Sequence, residues 1–331
     1  MQQGCGPISD SQPEFLGEIP GTSGNNAFYR LIPQPSPIPI LIAVPHAGRA
    51  YPTSLLERMR HPGFVAQRLE DRYVDLLAEE VARETGASLL VAQAPRAMID
   101  LNRASDDVDW DMIGDRFENP STSPFSQDVG CYTPHKLLSG RRAKSGLGLI
   151  PRRLPGLGEL WKRRHNSAEL TARISGIHAP YHDCLAASLR ELRRRWGAVL
   201  LIDLHSMPSL TLHGGHPAPE FVVGDRFGSS CHGTLIAHAF SYFAEMRRGT
   251  AHNRPYAGGY VLERHADAKH GFHAFQLEID RASYLDSRLL ECGDGFADMA
   301  NLLIGLVRRL AGEVANLGQN QPYTGWQEAA E

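Results

Sequence analysis

The stretch Val199–Ser209 reads VLLIDLHSMPS, an aliphatic run that carries an Asp and then a His before it ends in Ser-Met-Pro-Ser. Val199–Leu204 predicts a strand buried on both faces, as in a parallel or mixed sheet. Period two places Val199, Leu201, Asp203 and His205 on one face and Leu200, Ile202 and Leu204 on the other. His205 then falls where the strand stops and Pro208 turns the chain away. Ligand sites in open α/β sheets gather at the carboxyl ends of strands. His205 is therefore a site residue if partners converge on it, and a satisfied structural histidine if they do not.

Ile38–Val44 (IPILIAV) predicts a second buried strand, ending in Pro45-His46-Ala47-Gly48. Further strands are expected at Ser88–Ala92, Ala97–Leu101, Phe221–Val223 and Phe272–Ile279, with a short one at Phe28–Ile32. Helices are expected at Thr53–Met59, Leu69–Thr85, Leu160–Ile174, His178–Trp196, Gly228–Met246 and Leu289–Val314. Apolar stripes support three of them: Leu69, Val74, Leu77 and Val81; Leu185, Leu189 and Leu192; and Leu302, Leu303, Leu306 and Leu310. Alternating strands and helices define an α/β class with helices on both faces of a mainly parallel sheet. Residues 1–37, rich in Gly, Pro, Ser, Asn and Gln, are expected to form a loose arm. A single α/β domain spans 38–315, and 316–331 form a C-terminal tail. Within the domain, about 105–155 reads as a long excursion over the sheet. It contains DDVDWD and the basic patch Arg141-Arg142-Ala143-Lys144, best read as solvated surface.

The chain has 331 residues, enough for one large core, with 42% hydrophobic and 21% charged residues. Its net charge of -3 provides no general field for nucleic acid or an anionic membrane. Five scattered cysteines without a CxxC pair argue against a disulfide framework and a cysteine zinc finger. No apolar run approaches the ~20 residues of a membrane span. The N-terminus lacks a basic region followed by an apolar one, so a reduced, cytoplasmic setting is expected.

Polar chemistry sits at several element ends. His46 follows one strand, Glu70-Asp71 falls on the next helical stretch, His205 ends the opening strand, and Glu278 lies in FHAFQLEID. Alternation there puts Ala274, Gln276, Glu278 and Asp280 on one face. A carboxylate near the end of an apolar strand is costly unless paired or placed at a site. Two histidines and one carboxylate from separate elements suit zinc and leave a fourth position for water. A further Glu that does not bind the metal can accept that water's proton. Local spacing such as HExxH is absent. Asn102-Arg103 offers a guanidinium fork beside an amide, suited to a carboxylate, with a salt bridge to Asp106 or Asp107 as the competing reading. Tyr256–Tyr260 (YAGGY) reads as a loop close to substrate or as a turn that needs glycine, with Arg254 and Arg264 as further anion contacts. Gly224–Gly228 lacks the pattern of a phosphate loop, and Ser206 lacks a GxSxG elbow.

Eight segments appear in an order that resembles the N-formylglutamate amidohydrolase family. They are VPHAGRAYP, LEDRYVDLL, APRAMIDLNR, GLGLIPR, LLIDLHSMPS, GDRFGSSC, NRPYAGGYVLERH and FHAFQLEIDRASYLD, from about Leu41 to Asp286. The family is similar in fold to zinc carboxypeptidases and aspartoacylases. The resemblance thus implies a three-layer α/β/α sandwich around a mixed sheet, zinc-exopeptidase-like, with one Zn2+ at the strand ends. It implies His46, Asp71 and His205 as metal ligands, Glu278 as general base, and Asn102 and Arg103 as binders of a substrate carboxylate. Arg264-His265 falls between matching motifs and is expected to line the pocket. The carboxypeptidase HxxE spacing is missing, since Arg49 stands three places after His46, so the carboxylate ligand must be Glu70 or Asp71. The implied activity is zinc-dependent hydrolysis of a small-molecule N-formyl or other N-acyl acidic amino acid, with a place in histidine degradation. Rival readings are a carboxypeptidase- or deacylase-like metallohydrolase for another acyl group, and a non-catalytic zinc-dependent binding protein.

Overall fold

The computed structural model describes residues 12–115, 141–211 and 218–319. It opens with strands β1 (Glu14–Leu16), β2 (Phe28–Leu31) and β3 (Ile40–Val44), followed by helices α1 (Thr53–Arg58), α2 (Pro62–Leu69) and α3 (Val74–Thr85) and strand β4 (Ser88–Ala92). After a short helix α4 (Arg141–Lys144) and a hairpin β5 (Arg153–Leu154) and β6 (Gly158–Glu159) come helices α5 (Ser167–Arg173) and α6 (Ala179–Trp196). The rest is β7 (Val199–Met207), β8 (Phe221–Gly224), α7 (Gly233–Glu245), β9 (Thr250–His252), α8 (Tyr260–His265), β10 (Phe272–Asp280) and α9 (Phe296–Gln319).

Eight strands form one sheet in the order β1-β2-β4-β3-β7-β10-β8-β9. The centre, β4-β3-β7-β10, is parallel. β2 and β1 extend it antiparallel at one edge; β8 joins β10 antiparallel at the other and carries β9 parallel to itself. Strand alternation sorts the side chains into two cores. Ile40, Ile42, Val44, Leu200, Ile202, Leu204, Phe275 and Leu277 pack against α3, α7 and α9. Leu41, Ala43, Leu90, Val199, Leu201 and Ala274 pack against α1, α2 and α6. Helices therefore cover both faces, and the molecule is the expected three-layer α/β/α sandwich around a mixed, mainly parallel sheet.

On the second face the apolar filling stops partway along the strands. Beyond Leu201 come Asp203 and His205; beyond Ala274 come Gln276 and Glu278. The register sets Asp203 beside Gln276 and His205 beside Glu278. Polar side chains thus gather at the carboxyl ends of two adjacent parallel strands.

Five sequence expectations are corrected by the structure. Residues 12–37 are not a loose arm, because β1 and β2 cover the edge of β4 and bury Ile19 and Phe28. The helix expected over Leu69–Thr85 is two helices, broken at Glu70–Tyr73, where Tyr73 takes a left-handed φ of 57° and starts α3. Ala97–Leu101 has no ladder partner and forms turns, with Asp100 N donating to the Leu149 carbonyl. The helix expected from Leu160 begins at Ser167, behind a capping box in which Asn166 Oδ1 accepts from Glu169 N. The closing helix starts at Phe296, after Leu289 enters the left-handed region and Gly293 packs against the Leu285 carbonyl. It also runs to Gln319, into the stretch expected as tail. Residues 320–331 and the central part of the excursion, 116–140, lie outside the described residues. Arg142 and Lys144 of the basic patch are exposed. No helix of the described residues is long and apolar enough to cross a membrane.

Candidate active site

His46 stands just past β3, His205 near the end of β7, and Asp71 in the break between α2 and α3. The break is tied directly to the first histidine, since Asp71 N donates to the His46 carbonyl at 3.0 Å. Both imidazoles turn Nδ1 toward the same oxygen: His205 Nδ1 lies 3.0 Å and His46 Nδ1 3.6 Å from Asp71 Oδ2. Both Nε2 atoms are held from behind by buried carboxylates. Asp100 Oδ1 lies 2.8 Å from His46 Nε2, and Asp203 Oδ2 lies 3.0 Å from His205 Nε2. One ligand atom from each of His46, Asp71 and His205 falls within a 4.8 Å span, and all three residues are buried.

This donor set fits a divalent cation. His46 Nδ1 is a buried atom without a hydrogen-bond partner among the described residues, and such orphans are rare unless something else occupies them. Asp100–His46 and Asp203–His205 have the form of carboxylate–histidine pairs that orient a metal-binding imidazole. The two nitrogens and one oxygen suit zinc with an open fourth position. Burial by itself would raise the Asp71 carboxyl, but the hydrogen bond with His205 and the nearness of the His46 ring hold it below the usual range. Burial would likewise lower His205, but Asp203 and Asp71 raise it well above a normal imidazole. The 3.0 Å contact between His205 Nδ1 and Asp71 Oδ2 thus lies where a cation would be held between them. Asp100 is kept well below the usual carboxylate range, against the effect of burial, by Arg96 and then His46.

Glu70, the other carboxylate of the pair, turns away: Arg72 Nη1 donates to its Oε2 at 3.0 Å. Arg49, where an HxxE motif would have its Glu, binds Asp75 instead. The Asp71 carboxylate is held on its far side, where Ser206 Oγ donates to Oδ1 at 3.3 Å and Arg281 Nη2 lies 3.6 Å away. Arg281 therefore serves Asp71 and Ser206; no ion pair joins it to Glu278 among the described residues. Glu278 accepts from Gln276 Nε2 at 2.7 Å. Burial raises its carboxyl to about 7, with His205 opposing and Asp71 adding to the shift.

Asn102 and Arg103 sit on the turn that supplies Asp100, rather than at a strand end. Asn102 Oδ1 accepts from Val261 N at 2.9 Å, and Nδ2 is shared among Asp203, His205 and Gln276 at 3.3–3.4 Å. Gly259 passes so close that a Cβ there would lie 2.4 Å from Asn102 Oδ1, which is why this loop needs glycine. Arg103 donates from Nε to the Leu147 carbonyl and from Nη1 to the Asn102 carbonyl. Neither Asp106 nor Asp107 reaches it within ion-pair distance among the described residues.

The other candidates lie outside the His46–Asp71–His205 cluster. Arg254 is exposed on the loop that carries Tyr256. Tyr256 feels the site directly: its hydroxyl is raised by burial and then by the Glu278 charge. Arg264 is on the outer side of α8, donating to Tyr260 and facing Asp183 at 3.5 Å. His265 is buried against His182, with Nε2 2.9 Å from His182 Nδ1. Sequence reasoning missed Asp100 and the supporting roles of Asp203, Arg96 and Arg281. For Asp203 a signal existed, a carboxylate two places before His205 on the same face of a buried strand. Asp100 carried none, because its segment reads as a strand and folds as a turn.

The fold and site together define an α/β protein of the hydrolase class, with its chemistry at the carboxyl edge of a mixed sheet. The family model of the N-formylglutamate amidohydrolases matches residues 38–285. The chain belongs to that family. It is 30% identical over 262 residues to the N-formylglutamate deformylase of Pseudomonas aeruginosa, covering 76% of this chain and 84% of that one. The deformylase of Pseudomonas putida is 29% identical over 256 residues, 75% of this chain and 82% of that one. The crystal structure of N-formylglutamate amidohydrolase from Ralstonia eutropha JMP134 superposes with a TM-score of 0.75 at 28% identity, covering 88% of this chain and 99% of that chain.

Proposed function

We propose that this chain is a zinc-dependent amidohydrolase that hydrolyses N-formyl-L-glutamate to formate and glutamate. The observation that carries the reading is the pair of Nδ1 atoms converging on Asp71 Oδ2, each imidazole backed by its own buried carboxylate, with Glu278 beside His205. The two Pseudomonas relatives are named for deformylation of N-formylglutamate, which supports the choice of acyl group and amino acid.

His46, Asp71 and His205 would hold the metal, and Asp100 and Asp203 keep the two imidazoles in the ligating orientation. Zinc in such a site supplies Lewis-acid chemistry, polarising the amide carbonyl and making water a nucleophile at neutral pH. Glu278 accepts a proton from the attacking water as the new C–O bond forms. It then delivers that proton to the amide nitrogen as the C–N bond breaks, freeing formate and the amine. Arg103 holds a substrate carboxylate, with Asn102 fixing the turn that presents it. Arg254 stands at the exposed rim beside Tyr256. Arg264 and His265 act from behind this layer.

Formate release from N-formyl-L-glutamate, with and without prior chelation, tests the reading. Activity lost on chelation and restored by zinc, with close to one zinc per chain, is the expected result. Formate release unaffected by complete metal removal would refute it.

A further inference from the structure

Behind the Asn102-Arg103 turn lies a group of buried histidines that the hydrolytic chemistry does not use. His178 Nε2 donates to the Arg103 carbonyl at 2.9 Å, and His182 Nε2 donates to the Leu101 carbonyl at 3.0 Å. These are alternate carbonyls of one turn, gripped by residues one helical turn apart. His182 Nδ1 in turn faces His265 Nε2 at 2.9 Å. The carbonyl acceptor requires the proton of His182 on Nε2, so Nδ1 accepts and His265 donates. Tyr260 stacks on His178 and meets His182 edge-on, at centroid distances of 5.9 and 5.2 Å. The same helix α8 donates its Val261 N to Asn102 Oδ1.

The helix that carries two of these histidines is built irregularly at this point. Between α5 and α6 the chain makes a π turn, Ile174–His178. One extra residue in a helix rotates the turns after it by about 100°, and such bulges gather at functional sites. The Gly176 carbonyl within it accepts from Glu18 N at 2.9 Å. Polar rings then occupy a helix face otherwise committed to Tyr181, Leu185 and Leu189. Burying three imidazoles is unfavourable unless each is hydrogen-bonded, and here every one is.

We infer that His178 and His182, braced by His265, are positioning residues for substrate binding: they fix the Leu101 and Arg103 carbonyls and so aim the Arg103 guanidinium at the substrate carboxylate. The inference rests on the reading of Arg103 as the carboxylate anchor. Arg103 already gives Nε and Nη1 to main-chain carbonyls, so its remaining direction is set by the turn.

The test compares kcat/KM for N-formyl-L-glutamate with that for its α-amide and γ-amide counterparts, in zinc-loaded enzyme. His178→Asn and His182→Asn stay polar but are too short to carry a donor to the Nε2 position. Each is expected to lower the preference for the acid by about tenfold or more, through KM, as for a modest misplacement of a binding group. Zinc content should stay full. His178→Gln, which restores a donor near Nε2, should recover most of the preference. Arg103→Lys separates the two readings. Its leaving the acid preference intact would refute the carboxylate anchor and this inference with it. A collapse in Arg103→Lys, with full preference in both Asn variants, would overturn the histidine role alone. Should the Asn variants fail to fold, nitrogen-15 spectra of the wild-type imidazoles decide: both His178 and His182 must be Nε2–H tautomers, and an Nδ1–H tautomer at either overturns the inference.

Discussion

Replacing Glu278 by Gln separates chemistry from metal binding. Glu278 lies beside His205 in the ladder, accepts from Gln276 Nε2 at 2.7 Å, and has no Arg or Lys within ion-pair distance among the described residues. A Gln at this position is nearly isosteric, and its carbonyl oxygen can still accept the Gln276 hydrogen bond. It removes a buried charge that no cation directly repays, so the thermal midpoint should stay level or rise. The one thing lost is the capacity to accept a proton from water. Loss of a general base costs about 10²–10⁴ in rate, or roughly 3–5 kcal/mol on the barrier. Because the interaction is made only in the transition state, kcat and kcat/KM should fall together while KM changes little. The assay is steady-state formate release, with zinc content and thermal midpoint measured on the same preparation. A Glu278→Gln protein with full zinc and near-native kcat would refute the assignment. A large fall in zinc content would instead make Glu278 a ligand.

The same geometry dictates the outcome of three other experiments. Asp71→Ala should lower zinc affinity far more than Glu70→Ala, since Asp71 Oδ2 faces both imidazoles whereas Glu70 faces Arg72; competition with a chromophoric chelator measures both, and the reverse order would move the ligand. Asp203→Asn should weaken zinc binding about 10–100-fold with His205 still present, because it removes the anion behind Nε2; unchanged affinity would show that Asp203 only packs. The pH dependence of stability has a definite sign: burial lowers His178 to about 4, His265 to about 3 and His273 to about 4. The unfolded chain therefore takes up protons near pH 6.5 that these folded histidines refuse, so their contribution to stability is complete above that pH and is lost as pH falls from 6.5 toward 4. By linkage each such histidine contributes up to about 2 kcal/mol of loss at pH 5. Urea midpoints measured at pH 7 and pH 5 check this, and equal midpoints would contradict it.

Much of this molecule was legible along the chain because its central strands are uninterrupted and strictly alternating. In Val199–Met207 and Phe272–Asp280 the side-chain period alone puts Asp203, His205, Gln276 and Glu278 on one face and the aliphatics on the other. A one-residue slip would reverse both cores, so the local pattern carries long-range information. His46 was readable for the same reason, as the first polar group past a run of buried aliphatics. Other features could be decided only by the folded chain. Leu69–Thr85 has a continuous apolar stripe, and nothing local announces that Tyr73 turns left-handed and breaks it. Yet that break is what brings Asp71, and not Glu70, to the two histidines. Asp100 looks like the polar end of a strand until its backbone binds the Leu149 carbonyl and its side chain meets His46. The π turn before His178 is held by contacts with Gly17 and Glu18, more than 150 residues earlier. Strand faces are set by a period of two residues, which the sequence displays; the partners of turns and helix ends are set by distant backbone groups that must be satisfied, which it does not.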